Sequence, residues 1–285
     1  MAALSEPLTP LQDLPARSWL FVPATQPQRY AKAAASGADR VIIDLEDAVA
    51  AEVKEQARLQ LAQALLPSMQ PLYLRVNSVS SAWFAADLAL AAQLPLAGIM
   101  LPKAEQAADI AAVAARLPAA MVIVALVETA AGLLNALDIA RAPRVERLAF
   151  GAIDFQADTG MACADAAEPE LDYARSHLVV VSRVAGIGAA IDAVSVAIDD
   201  PLRLEQDTQR SRRFGFAGKL CIHPSQVAGV HLAYQPTAAQ LEWAHGVLAA
   251  LAERPQEERG AFSYRGAMVD KPVLAQARAI LARRR

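Results

Sequence analysis

The chain has 285 residues, 55% of them hydrophobic, with a mean hydropathy of +0.24, so it can fill a sizeable core and is not a disordered polypeptide. Lys and Arg number 27 against 30 Asp and Glu, a net charge of -3, and aromatics make up 5%. That balance gives no basic face for nucleic acid or an anionic membrane, and no base-stacking platform. The two cysteines, Cys163 and Cys221, and the four histidines form neither a CxxC pair nor an HExxH motif, which speaks against a structural zinc site.

From the N-terminus, residues 1–19 carry no basic-then-apolar leader pattern and no Arg before Arg17, so a secretory or mitochondrial leader is not expected. A reducing cytoplasm is the expected location. Short Val-, Ile- and Leu-rich runs then alternate with Ala-rich segments of helical period. The runs lie at 19–22, 40–44, 72–76, 98–101, 121–127, 147–150, 193–198 and 219–222. They are nearly continuous rather than alternating, as strands buried on both faces are. Helices are predicted over 25–37, 49–65, 82–93, 105–116, 130–141, 168–185, 201–214 and 240–252. The longest apolar run, 119–127, meets Glu128 and is far short of the ~20 residues that span a bilayer. Eight strand–helix units predict a (β/α)8 TIM barrel over 1–253. A doubly wound sheet competes with it, but no GxGxxG follows the first strand. Residues 254–285 read as a C-terminal segment with a hairpin at 261–268 and a helix at 272–284 whose apolar face could dock.

Polar residues cluster at the ends of the runs: Asp44, Glu46 and Asp47; Arg75 and Asn77; Pro102 and Lys103; Glu128; Gly151, Ala152 and Asp154; Asp199 and Asp200; His223. In a barrel, those C-terminal strand ends share one mouth. Five carboxylates there, Asp44, Glu46, Asp47, Glu128 and Asp154, repel one another unless a cation neutralises them. Oxygen donors without Cys or His suit Mg²⁺, which takes one or two carboxylates and keeps waters. Arg75 has the planar fork for a bidentate carboxylate. Gly151-Ala152 is slim enough for a backbone N–H to approach a ligand. His223 reads as structural, and Lys103 reads equally as a counter-charge to the acids or as a ligand contact.

Seven motifs, RSWLFVP at 17–23, DLEDAV at 44–49, LRVN at 74–77, LPK at 101–103, VETAAG at 127–132, FGAIDF at 150–155 and GKLCIHP at 218–224, resemble the citrate lyase beta-subunit family of the HpcH/HpaI aldolase superfamily, in that family's order. The tail, GAF at 260–262 and GAMVDKP at 266–272, resembles the same family's C-terminal segment. The resemblance implies a TIM barrel with a tail covering a mouth, and a Mg²⁺-dependent lyase. Its reaction would be retro-Claisen cleavage of a 3-hydroxyacyl-CoA thioester, citryl-CoA or a related malyl- or citramalyl-CoA, to acetyl-CoA and a keto acid. It implies Glu128 and Asp154 as metal ligands, and Arg75 with the Gly151-Ala152 backbone as the keto-acid site. Asp270 would be the acid/base on a tail that reaches a neighbouring subunit, and Asp44, Glu46 and Asp47 would order metal waters and loops. A homotrimer or hexamer is implied, and citrate lyase alpha and acyl-carrier subunits are possible partners. A free-acid aldolase releasing pyruvate and a largely structural subunit of a citrate lyase complex are the alternatives. One departure stands out: Ala24 and Thr25 follow Pro23 where the family has Gly and a polar residue near the CoA.

Overall fold

The computed structural model describes residues 16–64, 71–255 and 260–284. Residues 1–15, the last predicted position of the 49–65 helix and part of the polar break before the tail lie outside the described residues. The described chain divides into two compact units, 16–231 and 232–284.

In the first unit eight parallel strands close into a barrel in sequence order. They are β1 (Ser18–Pro23), β2 (Arg40–Asp44), β3 (Leu72–Arg75), β4 (Gly98–Leu101), β5 (Val122–Val127), β6 (Val145–Phe150), β7 (Ile191–Asp192) and β8 (Gly218–Cys221). This is the TIM barrel that the alternation of apolar runs and helical segments predicts. The helices in order are α1 (Tyr30–Ala34), α2 (Lys54–Ala64), α3 (Phe84–Ala91), α4 (Ala107–Arg116), α5 (Ala130–Leu134), α6 (Ala136–Arg141), α7 (Ala152–Thr159), α8 (Asp172–Ala185), α9 (Pro201–Phe214) and α10 (Ser225–Tyr234).

The inside of the barrel is one layer drawn from every strand: Trp19, Ile42, Tyr73, Met100, Val124 with Leu126, Ala149, Ile191 and Leu220. Trp19 and Tyr73 meet edge-on across it, with ring centroids 4.9 Å apart. Side chains on a strand return to the same face every second residue. On six of the strands, the positions two residues further on are Phe21, Asp44, Arg75, Glu128, Gly151 and Ile222. The fold therefore places all of them at the C-terminal mouth, directly above the apolar layer.

Four local readings are corrected. The apolar run 193–198 is not the seventh strand; β7 is Ile191–Asp192, and Val196 and Ile198 lie exposed in the loop beyond it. A buried outer pair fixes this strand, because Asp192 is in register with Lys219, whose Nζ donates to Ala193 O at 2.7 Å. The predicted helix over 130–141 is interrupted at Asn135, whose side chain donates to Glu105 O at 2.9 Å. Helices α7 and α10 were not anticipated. The first hides within the FGAIDF motif, and the second carries Gly229 and no polar–apolar periodicity. Within the described residues no helix is long and apolar enough to cross a membrane.

In the second unit α11 (Ala238–Ala252) opens with a reciprocal capping box between Thr237 and Gln240. The predicted hairpin is β9 (Phe262–Tyr264) and β10 (Ala267–Val269), turned by Arg265 and Gly266, both at positive φ. Helix α12 (Lys271–Ala282) follows, with Pro272 in its first turn. Ala244 and Val247 of α11 pack on Phe262, Val269, Leu274 and Ala277, so α11 joins the tail in one small core. The sequence boundary near residue 253 falls inside this unit.

Candidate active site

A cavity of about 390 Å³ opens at the barrel mouth. Its polar wall comprises Asp44, Asp47, Arg75, Glu128 and Asp154, with Gly151 and Ala152 beside them. Its apolar wall comprises Phe21, Pro23, Leu126, Phe150, Val194, Leu220 and Ile222. Asp44, Asp47, Arg75, Glu128, Gly151, Ala152 and Asp154, read from the sequence as barrel-site candidates, line this cavity; Glu46, which pairs with Arg75, and Lys103 do not.

Arg75 ends β3 directly beside Asp44 at the end of β2, in register. Its Nε and Nη2 donate to the two oxygens of Asp44 at 2.7 and 2.6 Å. Asp44 is 1% exposed, and its oxygens also accept from the amides of Glu46 and Ala48. The bidentate fork is therefore closed on a protein carboxylate. The remaining Nη1 lies 3.0 Å from Glu46 and 3.5 Å from Asp47, and the guanidinium rests over the Phe21 ring at 4.8 Å. Three of the five acids thus share one arginine, and their charge holds its pKa above the ordinary value although burial opposes this most strongly. Arg75→Lys is expected to keep a charge but lose one arm of the fork. A lost charged hydrogen bond is worth ~1.5–3 kcal/mol, so we expect a tenfold to hundredfold drop in kcat/KM, measured on the folded variant.

Glu128, at the end of β5, is 2% exposed. Its Oε1 accepts from the Lys103 amide at 2.8 Å. Burial, with Glu46 and Asp154 adding to it, pushes its carboxyl up to about 8. Burial likewise pushes Glu46 up to about 7, against the pull of Arg75. Glu128 and Asp154 form the acidic pair to which Arg75 makes no ion pair among the described residues. No three His, Cys, Asp or Glu side chains converge into a closed cage there.

Gly151 is glycine for a reason other than ligand approach. A Cβ at this position would sit 2.5 Å from Glu128 Oε2. Its own N–H is spent on Val127 O at 3.0 Å. The donors left for a ligand are the first amides of α7, which begins at Ala152 with no side chain capping it. Ala24 is fully buried; its N–H donates to Asp44 O and its O accepts from Tyr30, so the methyl that departs from the family pattern is absorbed in the fold. His223 Nδ1 lies 2.7 Å from Ser225 Oγ and accepts from the Ser225 amide, a local structural role at the start of α10. Cys221 is buried, its thiol pushed up to about 12 by that burial, which suits packing and not nucleophilic chemistry. In the second unit, Asp270 Oδ1 accepts from the Val273 amide at 3.2 Å as the N-cap of α12.

Sequence reading missed the Lys103 amide, because nothing in a lysine signals an unusual backbone. It also missed that the apolar wall borders the polar one so closely; the two-residue spacing from the core layer is the signal that finds Phe21 and Ile222.

The HpcH/HpaI aldolase/citrate lyase family matches residues 17–224. A citrate lyase subunit beta-like protein of Deinococcus radiodurans is 39% identical over 276 residues, covering 93% of this chain and 96% of that protein. The human mitochondrial citramalyl-CoA lyase is 34% identical over 290 residues, covering 93% of this chain and 84% of the enzyme. The crystal structure of CitE from Mycobacterium tuberculosis in complex with magnesium, acetoacetate and coenzyme A superposes with a TM-score of 0.84 at 39% identity, covering 94% of this chain and 97% of that one. With its barrel, its mouth and its motifs in one register, the chain belongs to the HpcH/HpaI aldolase/citrate lyase family.

Proposed function

We propose that the chain is a Mg²⁺-dependent carbon–carbon lyase that cleaves a 3-hydroxyacyl-CoA thioester to acetyl-CoA and a keto acid. The observation that carries this reading is the Glu128 carboxyl, buried beside Asp154 at the cavity wall and pushed up to about 8 by burial and by Glu46 and Asp154, against the weaker pull of Arg75. Such a pair is what a hard divalent cation relieves, and two carboxylates with waters are the donor set that Mg²⁺ takes. Magnesium and coenzyme A in the M. tuberculosis CitE complex support the same reading.

Glu128 and Asp154 would hold the cation. Bound there, Mg²⁺ supplies Lewis acidity to the substrate hydroxyl and its neighbouring carboxylate. Arg75 would orient that carboxylate through Nη1, the one nitrogen Asp44 does not engage, in competition with Glu46 at 3.0 Å and Asp47 at 3.5 Å. The Ala152 amide at the start of α7 donates to the same group. The bond between the carbinol carbon and the carbon alpha to the thioester breaks, its electron pair passing to the thioester as an enolate, while the hydroxyl gives its proton to solvent water and becomes the keto group. Asp270, on a tail reaching from a neighbouring subunit of a trimer or hexamer, delivers the proton to the enolate carbon. Asp44, Glu46 and Asp47 hold Arg75 and the loops around it. A free-acid aldolase or a structural citrate lyase subunit would use Asp270 only as the cap of α12.

Within the substrate class the cavity favours a small apolar group on the carbinol carbon. Leu126, Val194, Leu220 and Ile222 line it, and Arg75, the one basic side chain lining the cavity, already faces three acids. The extra carboxylate of a citryl group would be buried without a partner, whereas the methyl of a citramalyl group would not. Comparing kcat/KM for citramalyl-, malyl- and citryl-CoA tests this. We expect citramalyl-CoA to exceed citryl-CoA by about tenfold or more, the worth of one unpaired charged group. A preference for citryl-CoA would overturn the substituent reading while leaving the lyase reading intact.

A further inference from the structure

We propose that Lys103 is a positioning residue, whose left-handed backbone turns its amide onto Glu128 and so decides which carboxylate oxygen is presented to a cation. The inference rests on the reading of Glu128 as a metal ligand.

Lys103 follows β4 and Pro102 with φ of 48°. Side chains with a Cβ avoid that region, and lysine has no local hydrogen bond to offset it. Four non-glycine residues among those described have positive φ: Lys103, Arg144, Glu168 and Arg265. Lys103 is the one whose amide binds a carboxylate of the mouth, at 2.8 Å from Glu128 Oε1.

The strained turn is held from β5 and α5. The next amide, Ala104, donates to Leu126 O at 3.1 Å, and Asn135 donates to Glu105 O at 2.9 Å. Gly132 lets α5 close on the turn, since a Cβ there would lie 2.5 Å from Ala104 O. These contacts over-determine the conformation, as a strained backbone at a functional site requires.

The effect on Glu128 is to fix both oxygens. Oε1 is tied to the Lys103 amide, and Oε2 lies against the bare Cα of Gly151, where no Cβ could fit. The carboxylate is thereby clamped between two backbone segments, as outer partners of metal ligands commonly hold them. The Lys103 ammonium is 3.9 Å from Glu46 and nearly half exposed, so its charge contributes little. The two sequence readings of Lys103, counter-charge and ligand contact, thus give way to a third carried by its main chain.

The test measures Mn²⁺ affinity of the whole protein by electron paramagnetic resonance of free Mn²⁺, without substrate, so activity is not the readout. Lys103→Asn keeps a residue that tolerates positive φ and removes the ammonium. Lys103→Val makes that backbone unfavourable. An amide-to-ester replacement at position 103 deletes the N–H alone and remains informative where the valine variant does not fold. We expect the valine and ester variants to bind Mn²⁺ about 10- to 100-fold more weakly and the asparagine variant to stay within about threefold of the parent. Asparagine weakening binding as much as valine, or an ester variant of unchanged affinity, would overturn the proposal. Glu128→Gln, measured alongside, separates the two readings. If it also leaves Mn²⁺ affinity intact, the ligand assignment falls and the Lys103 proposal with it. If it abolishes binding while the ester variant does not, only the Lys103 role fails.

Discussion

Glu128→Gln should leave a folded barrel that neither gains stability from Mg²⁺ nor turns over a CoA thioester. The amide has the volume of the carboxylate, so the contacts with Gly151 and the Lys103 amide survive, and a neutral group replaces a buried acid whose charge the site disfavours. What is lost is the anionic oxygen. Removing an outer partner of a metal typically costs about 10–100-fold, so loss of a direct ligand should exceed about 10²-fold in kcat/KM. Thermal melts with and without Mg²⁺ provide the companion readout. A ligand that binds only the folded state raises its melting temperature, and at ~100 times its Kd the gain is about 2.7 kcal/mol. The parent protein should show such a rise and the variant should not. A variant that melts and turns over like its parent would remove Glu128 from the metal site.

Asp270→Asn should be folded, oligomeric and nearly inactive. Asp270 Oδ1 caps α12, and asparagine caps a helix as well as aspartate does, so the tail's small core on Phe262, Val269, Leu274 and Ala277 is not disturbed. A capping role alone predicts a variant close to the parent in both stability and turnover. A proton-transfer role predicts a loss of about 10²- to 10⁴-fold in kcat with Mg²⁺ binding retained. Mixing this protein with an inactive Arg75→Ala protein under conditions of subunit exchange should restore part of the activity, because some hybrid sites then carry both parent residues. Full activity in Asp270→Asn would discard the proton-transfer role. Failure of rescue with exchange demonstrated would place Asp270 over its own barrel.

The barrel was legible because seven of the eight apolar runs are strands buried on both faces, and the other run begins just past the remaining strand. Asp44, Arg75, Glu128 and Gly151 were legible because each lies two positions beyond a core residue of its strand, whereas Glu46, Asp47, Ala152 and Asp154 were read from the polar clusters that follow the strands. What the sequence could not show is register. Asp44 and Arg75 stand 31 positions apart, yet adjacent strands place them side by side, where the fork closes on Asp44 and not on a ligand. The misplaced seventh strand has the same root: residues 193–198 are apolar enough for a strand, but Asp192 and Lys219 set where the sheet ends. Gly151 lines the cavity for a reason the sequence did not show, since it is small for the sake of Glu128. The Lys103 turn leaves no trace in composition or pattern, because contacts from β5 and α5 impose it.

The central claim is most directly tested by product stoichiometry on citramalyl-CoA with chelator-treated enzyme, before and after Mg²⁺ is restored. Acetyl-CoA, pyruvate and free CoA are to be quantified separately. The account predicts no turnover without the cation. With it, acetyl-CoA and pyruvate should appear in equal amounts, with no free CoA. Cleavage that proceeds equally well in the chelated enzyme, or free CoA released with intact citramalate, would contradict it.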